Sequence, residues 1–186
     1  MRPVLPALAA LTILTACAGY RDADVSMATV DINPELYAGT WQEIARFPNP
    51  FQRGCVSSTA NYGFIDATRL RVLNTCQTND PNDAEREIYG TADVVGPGQL
   101  EIRFSGVPVA APYWVLWVDD TYETAVVGVP SGRAGWILAR STEVSPEKLA
   151  DAIAVFRDNG YDTSQLIYDA SLAQVAAASP ETAAAE

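Results

Sequence analysis

The side chains of this chain best suited to chemistry are three cysteines, Cys17, Cys55 and Cys76, and they stand without a single histidine. Serine and cysteine nucleophiles commonly draw on an imidazole base, haem on an axial histidine, and zinc on imidazole ligands. None of these arrangements can be assembled here. No catalytic residue, metal site or cofactor is therefore expected. The charged residues point the same way: 12 Lys and Arg against 23 Asp and Glu give a net charge of −11 and a pI near 4.3. A polyanion of this kind repels nucleic acid and anionic lipid head groups, and the first of these is removed as a partner.

Each cysteine then needs another role. The chain opens Met1-Arg2-Pro3 and continues almost without polarity from Val4 to Leu14. This run falls short of the roughly 20 apolar residues that span a bilayer. It has the length of a signal-peptide core behind a minimal basic start. It ends Leu14-Thr15-Ala16-Cys17, which resembles the bacterial lipobox. The resemblance implies a lipoprotein signal peptide over 1–16 and acylation of Cys17. One acyl chain holds a protein marginally, whereas two or three hold it stably. An ordinary secretory signal with a cysteine at its end is the rival reading. Ala18, in place of the Asp common in inner-membrane lipoproteins, points to the cell outer membrane. Residues 17–32 read as a lipidated tether, 33–170 as the domain, and 171–186 as a disordered Ala-rich tail.

An exported chain meets an oxidising compartment, which favours a disulfide between Cys55 and Cys76 over two buried thiols. They lie 21 positions apart, flanking a turn expected near Asp66. A bridge closing that loop stabilises by about 3 kcal/mol on the chain-entropy model. Strict strand alternation does not bring the two to one side, so a bulge or loop position is expected at one of them.

The elements that must position these residues are strands. Hydrophobic residues are 48% of the chain, enough for a core. From Trp41 to Ala139, β-prone runs alternate with turn residues: Trp41–Arg46, Val56–Phe64, Leu70–Gln77, Ala84–Val94, Gln99–Phe104, Tyr113–Val118, Thr124–Val129 and Gly135–Ala139. Breaks such as Asn79-Asp80-Pro81-Asn82 and Gly96-Pro97-Gly98 separate them. The pattern then changes. Ser145-Pro146 is a helix start, Leu149, Ala152, Ile153 and Phe156 share one helical face, and Asn159-Gly160 is a stop. A short extended run follows at Gln165–Tyr168. The expected fold is all-β: an eight-stranded antiparallel up-and-down barrel with one C-terminal helix and a short ninth strand. Eight strands enclose room for one small ligand.

Three motifs, in order, sharpen this. Gly39-Thr40-Trp41-Gln42-Glu43-Ile44-Ala45-Arg46 resembles the opening of a lipocalin, with Gln42 where related bacterial members usually carry Tyr. Asp119-Asp120-Thr121-Tyr122 resembles the second lipocalin motif, and Gly135-Trp136-Ile137-Leu138-Ala139-Arg140 the third. Further stretches, Thr59–Tyr62, Val72–Asn74 and Pro112–Leu116, resemble the subgroup of bacterial outer-membrane lipocalins and apolipoprotein D.

The resemblance implies that Trp41 plugs the closed end of the barrel beneath Arg140, with Gly39, Asp119 and Tyr122 as structural motif residues. It places Tyr62, Asn74 and Trp136 in a ligand pocket, to which strand six adds Tyr113 or Trp117. Each of these is equally readable as barrel core. Phe47 and Phe51, in the loop after the first strand, either gate the mouth and touch lipid or pin the loop to the rim. The implied function is binding, storage or transport of a fatty acid, lysophospholipid or similar amphiphile. A lipocalin-fold isomerase using a pocket cysteine, or a structural lipoprotein with a filled barrel, are the alternatives.

Overall fold

The computed structural model describes residues 19–169; the expected signal peptide, Cys17 and the Ala-rich tail lie outside them. Eight strands form the barrel: β1 (Gly39–Arg46), β2 (Cys55–Asp66), β3 (Arg69–Thr78), β4 (Glu85–Gly96), β5 (Gln99–Phe104), β6 (Ala111–Val118), β7 (Thr124–Gly128) and β8 (Gly135–Ala139). Each pairs antiparallel with the next, and β1 closes the ring by pairing with both β8 and β2. A two-residue strand, β9 (Ile167–Tyr168), adds to β1 beside Ala45 and Arg46. Each expected strand is present. A short helix, α1 (Pro34–Tyr37), precedes β1; Asn33 caps it by accepting from Glu35 N–H, with Pro34 at its first position. The main helix, α2 (Pro146–Asp158), starts at a Ser145 cap and carries Leu149, Ala152 and Phe156 as its buried face.

The connections define two ends. The β2–β3, β4–β5 and β6–β7 turns and α1 lie at the closed end. The β1–β2, β3–β4, β5–β6 and β7–β8 loops surround the mouth.

Two apolar layers follow from strand alternation. The inner one fills the closed half of the barrel with Trp41, Leu70, Val72, Leu100, Val115 and neighbours. The outer one lies between barrel and α2. Register shifts in β1, between Glu43 and Ala45, and in β6, between Val115 and Trp117, serve both. Each shift turns two consecutive residues outward, Ile44 with Ala45 and Leu116 with Trp117, into the layer under α2.

The segment expected to be a loose tether departs from that expectation. From residue 19 it is packed along the barrel. Tyr20 N–H donates to Gly132 O (2.7 Å), Asp22 N–H to Gly160 O (2.9 Å) and Val30 N–H to Val115 O (3.0 Å). Ile32 is buried in the inner core. Those bonds are made by backbone groups, which leave no periodicity in the sequence.

Cys55 and Cys76 are bridged, with Cα atoms 5.3 Å apart. Cys76 is paired with Ser58, and a register shift between Cys55 and Ser57 brings Cys55 to it. A bulge of this kind was the condition that strand alternation set.

Candidate ligand-binding site

The closed end is built around Trp41, fully buried, whose indole N–H donates to Tyr37 O (2.8 Å). The Arg140 guanidinium carbon lies 3.8 Å from the indole ring centroid. Its nitrogens also donate to the carbonyls of Leu36 (2.9 Å), Ala38 (2.8 Å), Thr40 (3.0 Å) and Tyr122 (3.2 Å). One cation therefore ties α1, β1 and the β6–β7 turn together over the plug. Gly39 has φ +102, and a Cβ there would stand 3.0 Å from the guanidinium. Both facts call for glycine at that motif position. Asp119 organises the neighbouring turn, accepting from Thr121 N–H (3.1 Å), Glu123 N–H (2.9 Å) and Lys148 Nζ of α2 (2.6 Å). Tyr122 takes a positive φ of 56 in that turn and accepts from Asn33 N–H (3.0 Å).

Above the plug lies a trio of phenols. Tyr62 donates to the Tyr113 hydroxyl (2.8 Å), which shares a second hydrogen bond with Tyr37 (2.7 Å). Burial pushes all three phenols above the ordinary tyrosine range, so they are neutral hydrogen-bonding groups. The Tyr113 ring stacks towards Trp136, with centroids 6.5 Å apart.

The half of the lumen nearer the mouth is polar. The shift in β1 points Glu43 and Arg46 inward together, as a buried ion pair at 2.6 Å. Arg46 also donates to Cys55 O (2.9 Å). Gln52, from the β1–β2 loop, reaches in to donate to the Glu43 carboxylate and to Ser58 Oγ (3.1 Å). It accepts from the Trp136 indole N–H (2.8 Å). Burial raises the Glu43 carboxyl above the usual carboxylate range, against the pull of Arg46 and Gln52. Asn74 stands on the same inner face, paired in the sheet with Ala60 and Ile88. Its amide oxygen is buried with no hydrogen-bond partner. Buried polar atoms are nearly always satisfied, so an orphan inside the barrel is to be explained.

Tyr62, Asn74, Trp136 and Tyr113 thus share one lumen. Trp117 does not. Positions 113 and 117 would share a face in a regular strand, but the bulge after Val115 turns Trp117 outward into the layer beneath α2. Phe47 is buried outside the barrel wall, its ring 5.0 Å from Phe156 and from Tyr161, so it pins the loop and does not gate the mouth. Phe51 is 75% exposed at the rim. Sequence reasoning missed Tyr37, Glu43, Arg46 and Gln52. Glu43 and Arg46 have opposite parity in β1, and only the bulge brings them together.

A closed eight-stranded antiparallel barrel, plugged at one end and lined with mixed polar and aromatic groups towards the other, is an architecture that encloses either packed side chains or one small molecule. A family model for the lipocalin-like domain matches residues 30–171. The chain is 30% identical to the outer membrane lipoprotein Blc of Escherichia coli, covering 89% of this chain and 94% of that one. It is 32% identical to temperature-induced lipocalin-1 of Arabidopsis thaliana, covering 73% and 77%. The structure of insecticyanin from the tobacco hornworm Manduca sexta shares the fold, with a TM-score of 0.63 at 22% identity over 81% of this chain and 86% of that one. The chain belongs to the lipocalin family, whose members bind small hydrophobic ligands.

Proposed function

We propose that this lipocalin is a lipid-anchored envelope protein that holds an amphiphile, such as a fatty acid or lysophospholipid, in the mouth-side half of its barrel. The observation that carries this is the Asn74 amide oxygen, buried in the lumen and unpartnered. Burying such an atom unmet costs about 1–3 kcal/mol. A ligand hydroxyl or amide would satisfy it, while the tail lies against Trp136 and Tyr113. A hydroxyl-bearing lysophospholipid meets this demand better than an ionised fatty acid, which has no donor. The lipobox resemblance and the likeness to outer membrane lipoproteins support acylation of Cys17 and an outer-membrane location. With Cys55 and Cys76 bridged, the described residues offer no free thiol for a cysteine-dependent isomerase.

The test is displacement of a fluorescent fatty-acid probe by lysophospholipid from protein purified without its acyl anchor. Trp136→Ala is expected to weaken binding roughly tenfold, about 1.4 kcal/mol, and leave the fold intact. Trp41→Ala is expected to cost about 3–5 kcal/mol of stability through loss of the plug. Wild-type protein that takes up neither probe nor lysophospholipid would refute the carrier reading. Equal effects of the two substitutions would refute the division between lumen and plug.

A further inference from the structure

The described chain begins at the mouth. Tyr20 N–H donates to Gly132 O (2.7 Å) in the β7–β8 loop, and Gly19 is wedged against Ser131 O and Gly132. Cys17 is two residues further back, so its Cα lies within about 7 Å of Gly19 whatever the conformation between them. The closed end is about 30 Å away, judged from the 12 residues of β2 at about 3.3 Å each and the tilt of barrel strands. A two-residue connection cannot reach it. An acyl anchor on Cys17 therefore holds the mouth, and not the plugged end, at the bilayer.

The rim beside that point is suited to lipid. Around the ring, the β7–β8 loop has the β5–β6 loop on one side and the β1–β2 loop on the other. These three adjacent loops, residues 105–110, 129–134 and 47–54, contain no Asp or Glu in a chain of net charge −11, and they carry Arg53 and Arg133. They also present Phe51 (75% exposed), Val109 (68%) and Val107 (43%) to solvent. The one acidic rim loop, β3–β4 with Asp80 and Asp83, lies on the far side of the ring from the N-terminus. Carboxylates stand at the closed end, at Asp31, Glu35, Asp66, Asp120, Glu123 and Glu143, and also beside the β7–β8 loop, where Asp22 and Asp162 share a cleft with Gly19 and Tyr20. The three loops themselves offer anionic lipid two arginines and no carboxylate.

We infer that the barrel docks mouth-down on the bilayer, with Phe51, Val107 and Val109 in the interfacial layer and the lumen opening directly onto lipid. The apolar face of an interfacial helix is buried about 5–10 Å into the headgroup–acyl boundary, which sets the depth available to these side chains. Amphiphile would then pass between membrane and lumen without crossing water. The inference rests on acylation of Cys17 and goes beyond it, because a tether alone does not orient a barrel.

The test uses the full lipidated chain on vesicles of phosphatidylethanolamine with a minor fraction of phosphatidylglycerol. An environment-sensitive fluorophore is placed at Phe51→Cys, Val109→Cys or, at the closed end, Ile65→Cys; each introduced thiol is the only free one once Cys17 is acylated and Cys55 is bridged to Cys76. Flotation is read alongside quenching by spin-labelled lipid. Probes at positions 51 and 109 are expected to shift to the blue and be quenched, and the probe at 65 to do neither. Protein that floats while positions 51 and 109 stay unquenched, or while 65 is quenched equally, overturns the docking and leaves the anchor standing. Protein that does not float overturns the anchor and the docking together.

Discussion

Two buried charges inside a small barrel set the energetics of the mouth. Glu43 and Arg46 are each 7% exposed and lie 2.6 Å apart. Removing one partner of such a pair strands the other charge in low dielectric, at a cost of about 3–5 kcal/mol, whereas replacing both is often neutral. Arg46→Met is therefore expected to destabilise by that amount in urea unfolding at neutral pH. Glu43→Gln combined with Arg46→Met is expected to recover most of the loss. The pH dependence has a defined sign. Burial raises the Glu43 carboxyl in the folded state, so holding it ionised works against folding above its ordinary range. In Arg46→Met the opposing cation is gone, and the deficit should shrink as acid neutralises the carboxyl. A double-mutant cycle showing strict additivity would mean that the pair is not coupled.

Between elements, the decisive contact is where β8 meets α2. A Cβ on Gly135 would lie 2.9 Å from the Phe156 ring and 3.1 Å from that of Phe47. Both rings are fully buried and neither can retreat. Gly135→Ala is expected to lower stability by about 1–3 kcal/mol, read as a drop in the thermal midpoint. An unchanged midpoint would show that the layer under α2 is loosely packed. This packing also explains what was legible beforehand. Strands and α2 were readable because alternation, turn residues and a Ser-Pro cap are local signals. The disulfide followed from export and spacing. The inward turn of Glu43 with Arg46 and the outward turn of Trp117 were not readable, because each depends on a bulge that residue parity does not show. Helix α1 has only four residues, too few to show a period. The run from 19 to 32 packs through backbone hydrogen bonds and scattered side chains, Tyr20 on Phe47 and Ile32 in the inner core, which form no periodic pattern.

At the scale of the whole molecule, α2 is a separate layer laid on the barrel, and its start is fastened to the closed end by one charge. Lys148 Nζ donates to Asp119 Oδ2 at 2.6 Å, while the other Asp119 oxygen gathers the N–H groups of Thr121 and Glu123. Partial burial pushes this carboxyl up, but the bonds from Lys148, Glu123 and Thr121 outweigh it and hold it below the usual range. A carboxyl lowered on folding stabilises above its unfolded value, about 4, and that contribution is lost as pH falls through the folded value. Asp66, Glu147 and Asp162 are shifted the same way, but they are fully exposed and contribute little. The Asp119 contribution to denaturant unfolding should therefore be constant from neutral pH to about 5 and be lost below about 4, while the raised Glu43 carboxyl contributes in the opposite sense. Asp119→Asn is expected to remove most of that acid slope and to lower stability at neutral pH. If the slope survives the substitution, acid sensitivity resides in the exposed carboxylates, and the joint between helix and barrel is apolar alone.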